Sequence, residues 1–180
     1  MTYFEKITRQ QYDIDGVNEY IDYDDIKLPE RATMRSAGYD IYAVTDIDIG
    51  PGETLKLPTG IRVKLEPDQF LLIVPRSGLG FKYKMQLQNT CGVIDADYSD
   101  SDNEGHIWVK FTNDNNEGKR LVVKKGEGLC QGIILNYGIT SDDYVYRTRN
   151  GGFGSTTKIK DDKKLYGHFS TRRNASVPCL

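Results

Sequence analysis

Cysteine is scarce in this chain. Cys91, Cys130 and Cys179 are an odd three among 180 residues, with no C-x-x-C pair and no histidine at metal-ligand spacing. That argues against a disulfide framework or a structural zinc site, and implies reduced thiols in a cytoplasmic protein. No stretch approaches the roughly 18 consecutive apolar residues of a membrane helix, and residues 1–6 hold no apolar signal core, so no membrane partner is expected. Basic charge is not in excess either: 24 Lys and Arg stand against 26 Asp and Glu, for a net charge of −2. A chain without a basic field has no general attraction for nucleic acid, and no direct nucleic-acid contact is expected. Helical periodicity and internal repeats are nearly absent, and 151–158 fails the glycine and lysine spacing of a phosphate-binding P-loop.

What remains reads as β-structure. Thr54-Leu55-Lys56-Leu57, Gly60-Ile61-Arg62-Val63-Lys64-Leu65, Phe70-Leu71-Leu72-Ile73-Val74 and Ile107-Trp108-Val109-Lys110-Phe111 are short segments separated by Gly, Pro, Asn and Asp. Such spacing predicts a β-barrel or sandwich. In Ile61, Val63 and Leu65 the apolar side chains alternate with Arg62 and Lys64, the pattern of a strand with one face in the core. The segment 142–147 reads as a last strand or a connector. The ends are more charged: residues 1–26 hold seven acids against Lys6 and Arg9, and 158–180 hold six Lys or Arg against Asp161 and Asp162. Both are expected to be solvated terminal segments.

Several residues invite chemistry. Asp95 and Asp97 alternate about Ala96, so an extended chain points both carboxylates to one face. Arg76 and Ser77 follow an apolar strand and lead into Gly78, where a turn can aim a guanidinium, a hydroxyl and backbone N–H groups at one anion. Gln131 stands in the apolar run 129–135, where an amide is costly to bury unless it bonds something. Asn150-Gly151-Gly152 opens a glycine-rich arm.

Five stretches occur in order: Ala37-Gly38-Tyr39-Asp40-Ile41-Tyr42-Ala43, Pro75-Arg76-Ser77-Gly78-Leu79-Gly80, Gly92-Val93-Ile94-Asp95-Ala96-Asp97-Tyr98, Gly128-Leu129-Cys130-Gln131 and Gly151-Gly152-Phe153-Gly154-Ser155-Thr156. On these the chain resembles the trimeric dUTPases over about 26–157. The resemblance implies an all-β jelly-roll homotrimer with a flexible C-terminal arm, whose sites borrow residues from neighbouring subunits. It also implies Mg-dependent hydrolysis of dUTP to dUMP and pyrophosphate, by water attack on the α-phosphorus. Asp95 is then the general base, and Tyr98 packs on the deoxyribose where a 2′-hydroxyl would collide. Asn89 and Gly92 belong to a hairpin that reads uracil, and Arg76, Ser77, Gly78 and Gln131 contact phosphates. Asp40 is the magnesium candidate through water, with an ion pair to Arg76 as its alternative role. Phe153 stacks on the base, with Gly154, Ser155 and Thr156 around the γ-phosphate.

The departures from the family pattern are informative. Thr148 stands where the arm's arginine is usual, flanked by Arg147 and Arg149, and Arg149 is assigned the phosphate-capping role. Thr157 replaces the closing glycine. An acidic expansion, Ser99-Asp100-Ser101-Asp102-Asn103-Glu104-Gly105, follows Tyr98 and resembles phage-encoded members. Some of those bind a repressor of a mobile genetic element, which implies a protein partner for the 99–127 region and a host-cytoplasmic location. The implied organisation is an N-terminal extension at 1–26, a β-domain at 27–147 with an expanded loop at 99–127, and an arm and basic tail at 148–180. The dCTP deaminase branch shares the fold, but the intact Asp95-Ala96-Asp97-Tyr98 favours the diphosphatase.

Overall fold

Period-two patterning becomes strand throughout the computed structural model, in which residues 1–146 and 149 are described. Twelve strands follow in chain order among these: β1 (Tyr3–Lys6), β2 (Glu30–Arg31), β3 (Tyr39–Tyr42), β4 (Ile47–Ile49), β5 (Thr54–Pro58), β6 (Ile61–Lys64), β7 (Gln69–Pro75), β8 (Met85–Leu87), β9 (Gly92–Asp95), β10 (Trp108–Asn113), β11 (Leu121–Val123) and β12 (Gly128–Asn136). Two short helices, α1 (Arg9–Ile14) and α2 (Ser77–Tyr83), complete the regular structure with three 3₁₀ turns. The fold is all-β, as the patterning predicts.

The largest sheet has five strands in the order β2-β3-β12-β7-β9, and a second has the order β5-β10-β8. β1-β6 and β11-β4 form two further, two-stranded sheets. All pairings are antiparallel, so one face of each strand can meet the core. Ile61 and Val63 of β6 are buried as their alternation predicts, with Leu71 and Ile73 of β7 and Phe111 of β10 beside them. Each such side chain contributes about 1.5–3 kcal/mol by leaving water.

Three expectations need correction. The N-terminal segment is no solvated extension, because β1 pairs with β6 from Tyr3↔Lys64 to Lys6↔Ile61 and Ile7 and Val17 are wholly buried. Its seven acids conceal an apolar set, Ile7, Tyr12, Val17, Ile21 and Ile26, that joins the main core. Nor is 99–127 one expanded loop. It contains β10 and β11, whose Val109, Phe111, Leu121 and Val123 are core residues. Finally, the turn after β7 is a seven-residue helix, α2, entered at Arg76 and ended by Lys84 in the left-handed conformation at φ 50°. Of the segment 142–147, residues 142–146 form an exposed connector. The expectations for Arg147, Phe153, Gly154, Ser155, Thr156 and the basic tail lie outside the described residues.

Candidate functional site

Strand β7 organises the candidate residues, because it pairs with β12 on one side and β9 on the other. At its C-terminal end, Asp40 of β3 lies opposite Gln131 of β12, and Gln131 lies opposite Val74. Arg76, just past the strand, bonds Asp40 Oδ1 through Nε at 3.0 Å and donates from Nη1 to the Gly128 carbonyl at 3.1 Å. The Gln131 amide donates to the Pro75 carbonyl at 3.1 Å. Ser77 and Gly78 open α2 beside them, both exposed.

Two glycines make room for this cluster. A Cβ on Gly38 would stand 2.2 Å from Gln131 Oε1, and one on Gly128 would stand 2.5 Å from Arg76 Nη1. Sequence reasoning quoted both within motifs without a role; the signal was there, since a glycine inside a strand pattern marks close approach. Cys130 lies wholly buried beside them. Burial first, and then the charge of Asp40, push its thiol up to about 12, which removes it as a nucleophile.

The second group sits on the β8–β9 hairpin. Its turn is closed by Thr90 N–H donating to the Leu87 carbonyl at 2.9 Å, with Thr90 at φ 66° and Asn89 exposed at the tip. Asn89 and Gly92 line a cleft of about 640 Å³ with Asn103, Trp108 and Lys110. A Cβ on Gly92 would come within 3.2 Å of Ile73 Cβ, so glycine lets the hairpin lie close on β7.

Beyond Gly92 the chain reaches Asp95, the last residue of β9. Alternation does not continue past it, because residues Ala96–Asp100 form a 3₁₀ turn. Asp95 and Asp97 converge all the same, on the guanidinium of Arg149: Nη2 bonds Asp95 and Nε donates to Asp97 Oδ1 at 2.9 Å. The same guanidinium stands 5.8 Å over the Tyr98 ring. Tyr98 is only 2% exposed, and its hydroxyl is fixed by Asn103 and the His106 carbonyl at 3.0 and 3.1 Å. Burial, the dominant cause, raises its pKa. Arg149, assigned to phosphate, thus satisfies its charge on the hairpin's own carboxylates.

The acidic expansion is folded inward rather than presented. Ser99, Ser101, Gly105 and His106 are buried, and Glu104 turns back to Arg62 and Thr8. Only Asp100 and Asp102 of its acids are exposed. The sequence suggested no role for Asn103 or His106: the partners of the His106 ring, Asp15 and Gly60, lie far off in the chain, and the local bonds of Asn103 to Tyr98 and Gly105 depend on how the loop folds back.

Within one chain Asp95 stands apart from the Arg76 cluster, although Gly92 of the hairpin lies opposite Ile73, three residues from Arg76. Asp95 lies opposite Phe70, whereas Arg76 stands six residues further along, roughly 20 Å of extended chain. Asn89, Gly92, Asp95, Tyr98 and Arg149 are brought together, as are Asp40, Arg76, Ser77, Gly78 and Gln131. Among the described residues no group of three or more His, Cys, Asp or Glu could hold a metal ion. Asp40 adopts the ion pair with Arg76. No helix among them is long and apolar enough to cross a membrane.

Comparison with known proteins agrees with these motifs. A family model described as dUTPase matches residues 24–157. A deoxyuridine 5′-triphosphate nucleotidohydrolase from Lactococcus lactis subsp. lactis is 37% identical over 134 residues, spanning 73% of this chain and 88% of the relative. The crystal structure of a dUTPase from Streptococcus mutans superposes with a TM-score of 0.59 at 30% identity, covering 76% of this chain and 97% of the other. A point mutant of the dUTPase of Staphylococcus bacteriophage 80alpha, with dUpNHpp, has a TM-score of 0.57 at 20% identity, covering 87% and 98%, and shares the fold.

Proposed function

The chain belongs to the dUTPase family and is a dUTP nucleotidohydrolase, and we propose that its active site is assembled from the two residue groups of different subunits in a homotrimer. The observation that carries this is the separation along β7: a base at one end and anion-binding groups at the other cannot reach one triphosphate in a single chain. A neighbouring copy brings the Arg76 cluster to the hairpin.

In that arrangement uracil enters the cleft at Asn89 and Gly92, where backbone donors and acceptors read its edge. A cytosine leaves such groups unpaired, which supplies strong discrimination. Tyr98 covers the deoxyribose. Arg76, Ser77, Gly78 and Gln131 take phosphate oxygens, and Asp95 accepts the proton of the water that attacks the α-phosphorus, releasing dUMP and pyrophosphate. Arg149 leaves the carboxylates for the γ-phosphate, with Phe153, Gly154, Ser155 and Thr156 closing the site and expelling water. Asp40 would be the residue to hold a magnesium ion, through water, by the carboxylate that also pairs with Arg76. That ion supplies charge neutralisation at the phosphates. A cytoplasmic location suits this substrate.

Mixing subunits tests the shared site. Asp95→Asn and Arg76→Ala are each expected to be inactive as pure proteins, and co-refolding them should restore part of the activity because some sites then combine two intact groups. A mixture as inactive as its components, despite subunit exchange seen by mass spectrometry, would remove the proposal.

A second reading, regulation of a protein partner as in phage-encoded members, has a narrower basis: the exposed Asp100 and Asp102 beside Asp97. Charge reversal of Asp100 and Asp102 tests it, through loss of a basic partner at unchanged turnover.

A further inference from the structure

The phenol of Tyr98 is fixed at its hydroxyl by two residues of the loop that follows it, Asn103, which also lines the cleft beside Asn89 and Gly92, and His106. The hydroxyl donates to the His106 carbonyl at 3.1 Å and accepts from the Asn103 amide at 3.0 Å. The Asn103 amide is itself oriented, because its oxygen accepts from Gly105 N–H at 3.2 Å. Gly105 lets the loop double back onto Tyr98: at φ 75° it takes a conformation open to glycine, and a Cβ there would stand 2.7 Å from Ser99 Cα.

The loop is anchored from outside by β6, where Lys64 donates to Ser99 Oγ at 3.0 Å, and at two further points that involve the N-terminal segment. At one, Glu104 accepts from the Thr8 N–H at 3.0 Å and the Thr8 hydroxyl at 2.6 Å, and it pairs with Arg62 at 3.0 Å. At the other, the fully buried His106 ring lies between Asp15 and Gly60. Gly60 N–H donates to Nε2 at 2.9 Å, so in the neutral ring Nδ1 carries the proton and donates to Asp15 Oδ2 at 2.6 Å. Gln11 holds that carboxylate by a further donation at 2.8 Å.

We propose that Asn103 and His106, anchored by Thr8 and Asp15, are positioning residues for Tyr98, so that discrimination between deoxyribose and ribose nucleotides depends on the N-terminal segment. The inference rests on Tyr98 being the residue that covers the sugar. A ring that rejects one hydroxyl must be held to about 0.5 Å. A tyrosine packed only by its ring can slide along its plane. With its hydroxyl engaged by a donor and an acceptor, it cannot slide without breaking both bonds, and neither bond is to the substrate.

The test compares dUTP and UTP as substrates of the full-length enzyme. Asn103→Ala and Asp15→Asn should each raise the UTP to dUTP ratio of kcat/KM by roughly tenfold, mainly through a lower KM for UTP, because the ring yields to the extra hydroxyl. Tyr98→Phe keeps the ring and removes both hydroxyl bonds, so it should show the same rise even where a loop variant fails to fold. A purely structural role would lower turnover of both nucleotides in proportion and leave the ratio unchanged. Tyr98→Ala separates the sugar contact itself from the positioning of the ring. Should it alone raise the ratio, Tyr98 covers the sugar but the positioning role is overturned; should it leave the ratio unchanged, the sugar reading fails and the inference falls with it.

Discussion

Arg149 bonds the carboxylate of Asp95, the residue proposed to accept a proton from water. Under the proposed roles the guanidinium occupies the carboxylate that water has to reach, so substrate binding would exchange this pair for a phosphate contact. Removing the carboxylate tests the chemistry directly. In Asp95→Asn, kcat for dUTP should fall by about 10²–10⁴. Calorimetric binding of dUTP should persist, because the amide keeps the shape of the site; near-normal turnover would take Asp95 out of the base role.

Glycine at position 128 separates function from stability. In Gly128→Ala the new methyl meets the end of the Arg76 side chain, which can swing aside at little cost to the fold. The melting temperature should therefore shift by only a few degrees, about 1 kcal/mol or less. The KM for dUTP should rise roughly tenfold as Arg76 loses its place beside Asp40. A large drop in melting temperature at unchanged KM would show that the close approach serves packing instead.

Acid should loosen the N-terminal clamp. Burial lowers the His106 pKa from the ordinary 6.5, outweighing the raising effects of Asp15 and Glu104, while Lys56 lowers it further. In the unfolded chain the imidazole takes up a proton as pH falls through about 6.5, whereas the folded one resists. Its stabilising contribution is thus complete above that pH and is lost as pH falls from there towards the lowered folded value. Thermal melts taken at about pH 7.5 and about pH 5.5 should show a larger decline for the native protein than for His106→Gln. Equal declines would assign the acid sensitivity to carboxylates elsewhere.

Removing metal should stop turnover without unfolding the protein. An ion carried with the nucleotide, as proposed, contributes nothing to the substrate-free fold, so EDTA should leave the melting temperature unchanged while dUTP hydrolysis falls and returns on adding magnesium. A melting temperature that drops with EDTA would point to a structural ion.

The strand class was legible because alternation and turn residues are local: Ile61 and Val63 face the core for the reason their spacing gives. The candidate residues Asp95, Arg76 and Gln131 stand out by type and order, which are also local features. Contacts between distant residues were not. Tertiary pairing alone decided that Asp15 meets His106 across 91 positions, that Glu104 turns inward to Thr8, and that β1 joins β6 beneath an acidic exterior. Tertiary pairing also set the roughly 20 Å between Asp95 and Arg76, since register along β7 follows from which strands lie beside it. A sequence specifies each strand's faces through its own period, whereas the neighbour that each face meets depends on burying all of them at once.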